Sequence, residues 1–174
     1  MSKLAKKPIN LENIECDLSK DKLTLKGKHG ELSIEIPSCV KISIDEKALT
    51  VMSESGVNLG LYFSLIKNMA IGVNEQFTEE LILNGVGYRV ALSNNKLNFN
   101  LGYSHPAEYI LPDNVKAEII SPTEIKLVGM NKQLVGQVAA EIIELRPAKK
   151  DPYKLKGVRR KRDRIIKKAG KKVK

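Results

Sequence analysis

The sequence predicts an α+β protein made by tandem duplication of a small domain, each copy an antiparallel sheet with one packed helix, plus a basic C-terminal tail. Three observations carry this. Strand-like segments lead into a helical segment, and the same order then runs a second time. Lys22-Leu23-Thr24-Leu25 returns as Lys96-Leu97-Asn98-Phe99 at a spacing of 74, and Pro37-Ser38-Cys39-Val40-Lys41 as Pro112-Asp113-Asn114-Val115-Lys116 at 75. Self-similarity at a fixed period is how a duplicated architecture announces itself. Finally, positive charge is confined to one end: residues 146–174 hold 15 of the 30 Lys and Arg with two acids, a net +13, while residues 1–145 sum to −3.

Taken in order, a basic arm (1–10) precedes segments of alternating or β-branched character at 22–26, 31–36, 40–44 and 48–52, which read as strands. Gly27, Gly30, Pro37 and Asp45-Glu46-Lys47 interrupt them at hairpin-like intervals. The period changes to 3.6 over 57–73, where Leu61, Leu65, Met69 and Val73, with Tyr62, Ile66 and Ala70 beside them, fall on one face, and Gly72 weakens the last turn. Strands at 77–83, 88–92, 96–101, 108–111, 115–120 and 124–128 follow. A second helix is predicted over 132–145, with Val135, Val138, Ala139, Ile142 and Ile143 as its core stripe and Asn131 as N-cap. The expected division is 11–82 for the first repeat, 83–148 for the second and 149–174 for the tail. Each sheet then needs only one apolar side, covered by its helix.

So basic a tail is predicted to stay unfolded until an outside polyanion orders it, because like charges repel and little apolar surface is available to bury. Fully extended, residues 150–174 would reach about 80 Å at ~3.3 Å per residue. The chain up to residue 149 is accordingly expected to fold without it. A solvated tail serving solubility is the plain alternative. Nucleic acid is favoured because Arg159, Arg160, Arg162 and Arg164 offer planar guanidinium groups for phosphate, and Pro152, Tyr153, Gly157 and Gly170 punctuate the charge. Trp is absent and aromatics are 5%, so binding should be led by charge and not by a platform of stacked rings.

Other classes are disfavoured. Cys16 and Cys39 form no CxxC and have no clustered His, so reduced intracellular thiols are expected, without zinc or redox chemistry. Pro8, Asn10, Glu12 and Asn13 stand where an export signal would have its apolar region. The most apolar window, 59–66, is far short of the roughly 20 residues of a membrane span. No membrane partner and a cytoplasmic location are expected. Asn84-Gly85-Val86-Gly87-Tyr88-Arg89 precedes a strand and lacks a third glycine and a P-loop lysine, so it is no nucleotide loop. It reads equally as a bulge or tight turn and as a place where backbone approaches a partner. Ser104 and His105 are adjacent, and as strand neighbours they would face opposite ways, with no elbow and no orienting carboxylate, so nucleophilic catalysis is rejected. His29 lies in the other repeat, which leaves no two-histidine metal motif. Glu79-Glu80 and Glu141-Glu144 read as ordinary solvated acids. No cofactor is implied. A binding module for DNA or another RNA and an RNA-modifying enzyme remain the competing classes.

Several of these stretches together resemble one family. Lys6-Lys7-Pro8-Ile9, Asn68-Met69 near Gly72-Val73, Gly85-Val86-Gly87-Tyr88-Arg89, Leu101-Gly102-Tyr103-Ser104-His105-Pro106, Gly129 with Lys132-Gln133, Val135-Gly136-Gln137-Val138-Ala139-Ala140 and Pro152-Tyr153-Lys154 are similar to the bacterial-type large-subunit ribosomal protein number six, end to end. The resemblance implies a duplicated α+β fold and no catalysis. It implies binding to large-subunit rRNA near the base of the acidic-protein stalk and the sarcin-ricin region, with neighbouring ribosomal proteins and translation factors close by. The implied RNA contacts are Tyr88, Arg89, Ser104 and His105, and in the tail Lys149, Lys150, Tyr153, Lys154, Lys156, Arg159, Arg160, Lys161, Arg162, Arg164, Lys167 and Lys168, with fewer from the first half. Three departures stand out. Leu155 replaces a glycine in the family's P-Y-K-G-K-G segment, Lys149-Lys150 replaces a Pro-Glu approach, and Gln76 stands where glycine is common.

Overall fold

A computed structural model describes residues 7–19, 21–45, 48–53, 58–168 and 170. The chain forms two compact units, the first running to Gln76 and taking in Met130–Lys132, the second made of Phe77–Gly129 and the chain from Gln133 onward.

The first unit runs β1 (Ile9–Asn10), β2 (Glu15–Ser19), β3 (Lys22–Gly27), β4 (Gly30–Glu35), β5 (Val40–Asp45), β6 (Ala48–Ser53) and α1 (Leu59–Glu75). Its strands form two three-stranded antiparallel sheets, ordered β1-β6-β5 and β2-β3-β4. Leu23, Leu25, Leu49 and Ile66 are fully buried at its centre. Alternation explains the strands: in β3 Leu23 and Leu25 face the core while Lys22 and Lys26 face water. The helix keeps most of its predicted face: Ile66, Ala70 and Val73 are buried, Tyr62 and Met69 pack beside them, Leu59 and Phe63 join the packed side, and Leu61 alone of the predicted residues is exposed. The expected start of this helix at residue 57 and the turn at 46–47 lie outside the described residues, as does most of the basic arm. The end of the arm contributes β1, too short for alternation to reveal.

The second unit repeats the plan with β7 (Phe77–Asn84), β8 (Arg89–Ser93), β9 (Lys96–Asn100), β10 (Ala107–Ile110), β11 (Val115–Ser121), β12 (Glu124–Gly129) and α2 (Lys132–Leu145). Helix α2 coincides with its prediction and buries Val135, Val138, Ala139 and Ile142. The duplication holds at the level of single bonds. Both P-x-x-V segments close the same turn, Val40 N to Pro37 O and Val115 N to Pro112 O, each at 3.0 Å. Leu97 and Phe99 in β9 are buried as Leu23 and Leu25 are in β3. β7 pairs with β12 as β1 pairs with β6, which makes β7 the first strand of the second repeat, although the sequence division put residues 77–82 in the first.

The second unit also has a strand without a counterpart among the described residues of the first. After α2 come a single 3-10 turn (Ala148–Lys150) and β13 (Gly157–Arg160), which pairs antiparallel with the free edge of β7 to give a sheet ordered β11-β12-β7-β13. The expectation of an unfolded tail is therefore corrected for its first half. Val158 is 0% exposed within the core made by Leu81, Phe99, Ile125, Leu127 and Ile142, and Leu155 is 8% exposed. Two apolar side chains among the bases, together with an unpaired strand edge, outweigh the repulsion that composition implied.

Candidate nucleic-acid interface

Two surfaces of the second unit carry the predicted residues. The first lies on the outer face of the β10-β9-β8 sheet. Register sets Arg89 opposite Asn100 and Ala91 opposite Asn98, while Val90, Leu97 and Phe99 turn into the core. At one end the 101–106 loop rises as a wall, leaving a groove of about 400 Å³ lined by Arg89, Ala91, Asn98, Asn100, Tyr103, Ser104 and His105 among others. Arg89, Ser104 and His105 are thus brought together and are all exposed. Ser104 and His105 do not diverge as strand neighbours would, because the segment is a loop. Ser104 Oγ lies 3.1 Å from His105 Nδ1.

Arg146 holds that wall. Its guanidinium donates to the Leu101 carbonyl and lies over two rings, 5.4 Å from the centroid of Tyr88 and 4.8 Å from that of Tyr103. Tyr103 in turn donates its hydroxyl to the Leu145 carbonyl at 3.1 Å. Tyr88, expected to touch RNA, is 7% exposed and belongs to the core, so a base cannot stack on it. The same ring decides the neighbouring glycine. A Cβ at Gly85 would stand 2.7 Å from the Tyr88 ring, and Tyr88 N bonds Gly85 O at 3.2 Å, so the segment is a tight turn packed on its own tyrosine. Val86 at its tip is 96% exposed.

The second surface is the folded tail. Asp151 caps its turn, accepting from the backbone N–H groups of Tyr153 at 3.2 Å and Lys154 at 3.1 Å. Those bonds, the Lys154 one foremost, hold its carboxyl below the usual range. Asn84 of β7 donates to the carbonyls of Lys154 and Leu155, at 3.3 and 3.1 Å. Leu155 sits at φ 54, and Gln76 after α1 at φ 56, so both departures from the family's glycines fall where backbone is left-handed and glycine is at ease. Gly157 (φ 143) has no such latitude, since a Cβ there would run into the Arg146 and Ala148 backbone.

The acids of β7 are not idle. Glu79 has a side chain only 11% exposed, with Oε1 3.3 Å from Arg160 Nε and 3.2 Å from Arg162 Nε. Both are ion pairs in which Glu79 Oε1 is hydrogen-bonded to neither guanidinium. Glu80 Oε2 meets Lys161 Nζ at 2.7 Å, which lowers the pKa of Glu80 and raises that of Lys161. Arg160 also donates to the Gly136 carbonyl at 3.3 Å. Glu79 and Glu80 are therefore anchors for β13, not the plain solvated acids their sequence indicated. Arg159 is half-buried along the strand, and Arg160, Lys161 and Arg162 are held by acids.

Lys149, Lys150, Tyr153, Lys154, Lys156, Arg164, Lys167 and Lys168 are exposed. Lys168 N bonds the Pro152 carbonyl at 3.0 Å, so residues 161–168 fold back over the 151–156 turn and the extended 80 Å reach is not taken. Residues 169 and 171–174 of the tail lie outside the described residues. Sequence reading missed Asn98, Asn100 and Tyr103 of the groove and Asn84 and Asp151 of the turn. The alternation of Asn98 and Asn100 with Leu97 and Phe99 was the available signal. Both cysteines are free thiols. No helix among the described residues is long and apolar enough to cross a membrane.

A duplicated α+β scaffold whose second copy carries a basic segment pinned to a sheet edge is the architecture of a protein that presents charge to a polyanion. Comparison with known proteins makes this particular. The family described as Ribosomal protein L6 matches residues 84–161, ending just past β13. Large ribosomal subunit protein uL6c of Phaeodactylum tricornutum is 43% identical over the whole of both chains. Large ribosomal subunit protein uL6 of Vibrio cholerae is 44% identical over 91% of this chain and 92% of its own, and that of Actinobacillus pleuropneumoniae serotype 5b is 46% identical over the same shares. The chain belongs to the ribosomal protein L6 family: it is a structural protein of the large ribosomal subunit and not an enzyme.

Proposed function

We propose that the chain binds large-subunit rRNA near the base of the acidic-protein stalk, beside the sarcin-ricin region where translation factors dock, and supports translation by holding that RNA in place. Neighbouring large-subunit proteins of the stalk base are its protein partners. Residues 1–10 serve as a basic arm, and the segment from 149 to 174 as the main RNA-binding element. The observation that carries this is the exposed set Lys149, Lys150, Lys154, Lys156, Arg164, Lys167 and Lys168, on the two turns before β13 and the segment after it that folds back over them, with β13 fixed to the second unit. Bases on a folded platform lose less entropy on meeting phosphates than bases on a free tail. Tyr153, 57% exposed, adds a stacking face. In the groove, Arg89, Ser104 and His105 supply a second contact, with Tyr88 acting from within the core.

Chemical footprinting of large-subunit rRNA with and without the protein tests the placement. Protection confined to the stalk base and the sarcin-ricin neighbourhood is the expected result. Protection elsewhere, unchanged near those elements, would overturn it.

A further inference from the structure

We propose that the groove on the outer face of β8 and β9 is a pocket for a single nucleotide extruded from RNA, which deepens, and rests on, the rRNA-binding role above. Three polar side chains converge there with capacity unused. Asn98 makes no side-chain hydrogen bond among the described residues, and the Arg89 guanidinium has no acidic or carbonyl partner among them. The Nε2 of His105 is likewise unengaged among them, while its Nδ1 faces Ser104. Asn100 is oriented by accepting from Gly102 N at 3.5 Å. Ala91, the smallest side chain on this face, keeps the floor between Arg89 and Asn98 low.

The chemistry of this lining matches one nucleotide better than a stretch of duplex. A carboxamide offers one donor group and one acceptor side by side, as a base edge does, so Asn98 can pair with an unpaired base. The guanidinium of Arg89 suits the attached phosphate, and the His105 ring and the outer face of Tyr103 offer stacking surfaces. Tyr103 is held for this by Arg146 on one side and by its bond to Leu145, so little is left to order on binding. Duplex RNA presents phosphate ridges and a major groove too narrow for side chains, and it has no base to place in a concavity. The volume of about 400 Å³ falls within the ~300–1,000 Å³ of pockets that enclose small ligands.

The test uses the full-length chain and two RNA hairpins of identical stem, one carrying a single-nucleotide bulge, with affinity read by fluorescence anisotropy. The bulged hairpin should bind about tenfold more tightly, the scale of one base stacked and paired. Asn98→Ala and His105→Ala, both on the solvent side, should each erase most of that preference, and Asn98→Ala should leave the paired hairpin within about twofold, since phosphate contacts are blind to the bulge. Equal affinity of the unaltered chain for the two hairpins overturns the pocket, as does a preference that survives both substitutions. Binding to large-subunit rRNA but to neither hairpin also overturns it. Failure to bind large-subunit rRNA at all would instead remove the rRNA role beneath it.

Discussion

Cutting the chain after Lys150 is expected to destabilise the second unit, although the charge pattern treats everything beyond as dispensable for folding. The cut removes Leu155 and Val158, which are 8% and 0% exposed. Burying such side chains contributes about 1.5–3 kcal/mol each, so ~3–6 kcal/mol is lost from a domain whose whole stability is of order 5–15 kcal/mol. Four register pairs between β13 and β7 go with them, baring the edge over Leu81 and Leu83. With a urea slope near ~2 kcal/mol per molar, the midpoint should fall by about 1.5–3 M. Tyrosine emission is a suitable probe, because Trp is absent and Tyr88, Tyr103, Tyr109 and Tyr153 all lie in this unit. A chain ending at Arg164 keeps β13 with its partners and should unfold where the full chain does. Equal midpoints for all three chains would refute the claim that β13 is part of the fold.

Three other outcomes are expected. Leu155→Gly should cost about 1 kcal/mol less than Leu155→Ala in urea unfolding, reversing the usual order, because glycine relieves the backbone at φ 54 while both lose the buried side chain. An alanine variant equal to or more stable than the glycine one would contradict that left-handed geometry. Gly157→Ala should destabilise by roughly 2–4 kcal/mol, since its Cβ would lie 2.7 Å from Ala148 N, and hydrogen exchange should show β13 opening first. The Glu80–Lys161 pair predicts a pH dependence of β13 protection. The folded pKa of Glu80 is depressed, so its contribution is present above the ordinary glutamate range and lost as pH falls through the lowered value. Lys161 has a raised pKa, so its contribution is present below the ordinary lysine value and lost as pH rises beyond it. Glu80→Gln should flatten the acid-side dependence, and an unchanged profile in that variant would show that the pair does not hold the strand.

The parts of this protein legible from sequence are those set by neighbours along the chain. Period 3.6 placed α2 to the residue, alternation placed β3 and β9, and the two P-x-x-V turns marked the duplication, because side-chain direction and turn closure depend on a few consecutive residues. Charge, which simply adds, located the basic end. Pairing between distant segments was hidden. Nothing local in Gly157-Val158-Arg159-Arg160 says that β7, more than 70 positions earlier, leaves an edge for it, nor that Glu79 and Glu80 will sit across from its bases. The same holds for Tyr88, whose burial beneath Arg146 no local pattern indicates. Sequence thus determined the two α+β repeats and where the charge lies. Only the tertiary structure decided which bases are free to meet RNA, because burial and ion pairing depend on what the folded chain brings alongside each side chain.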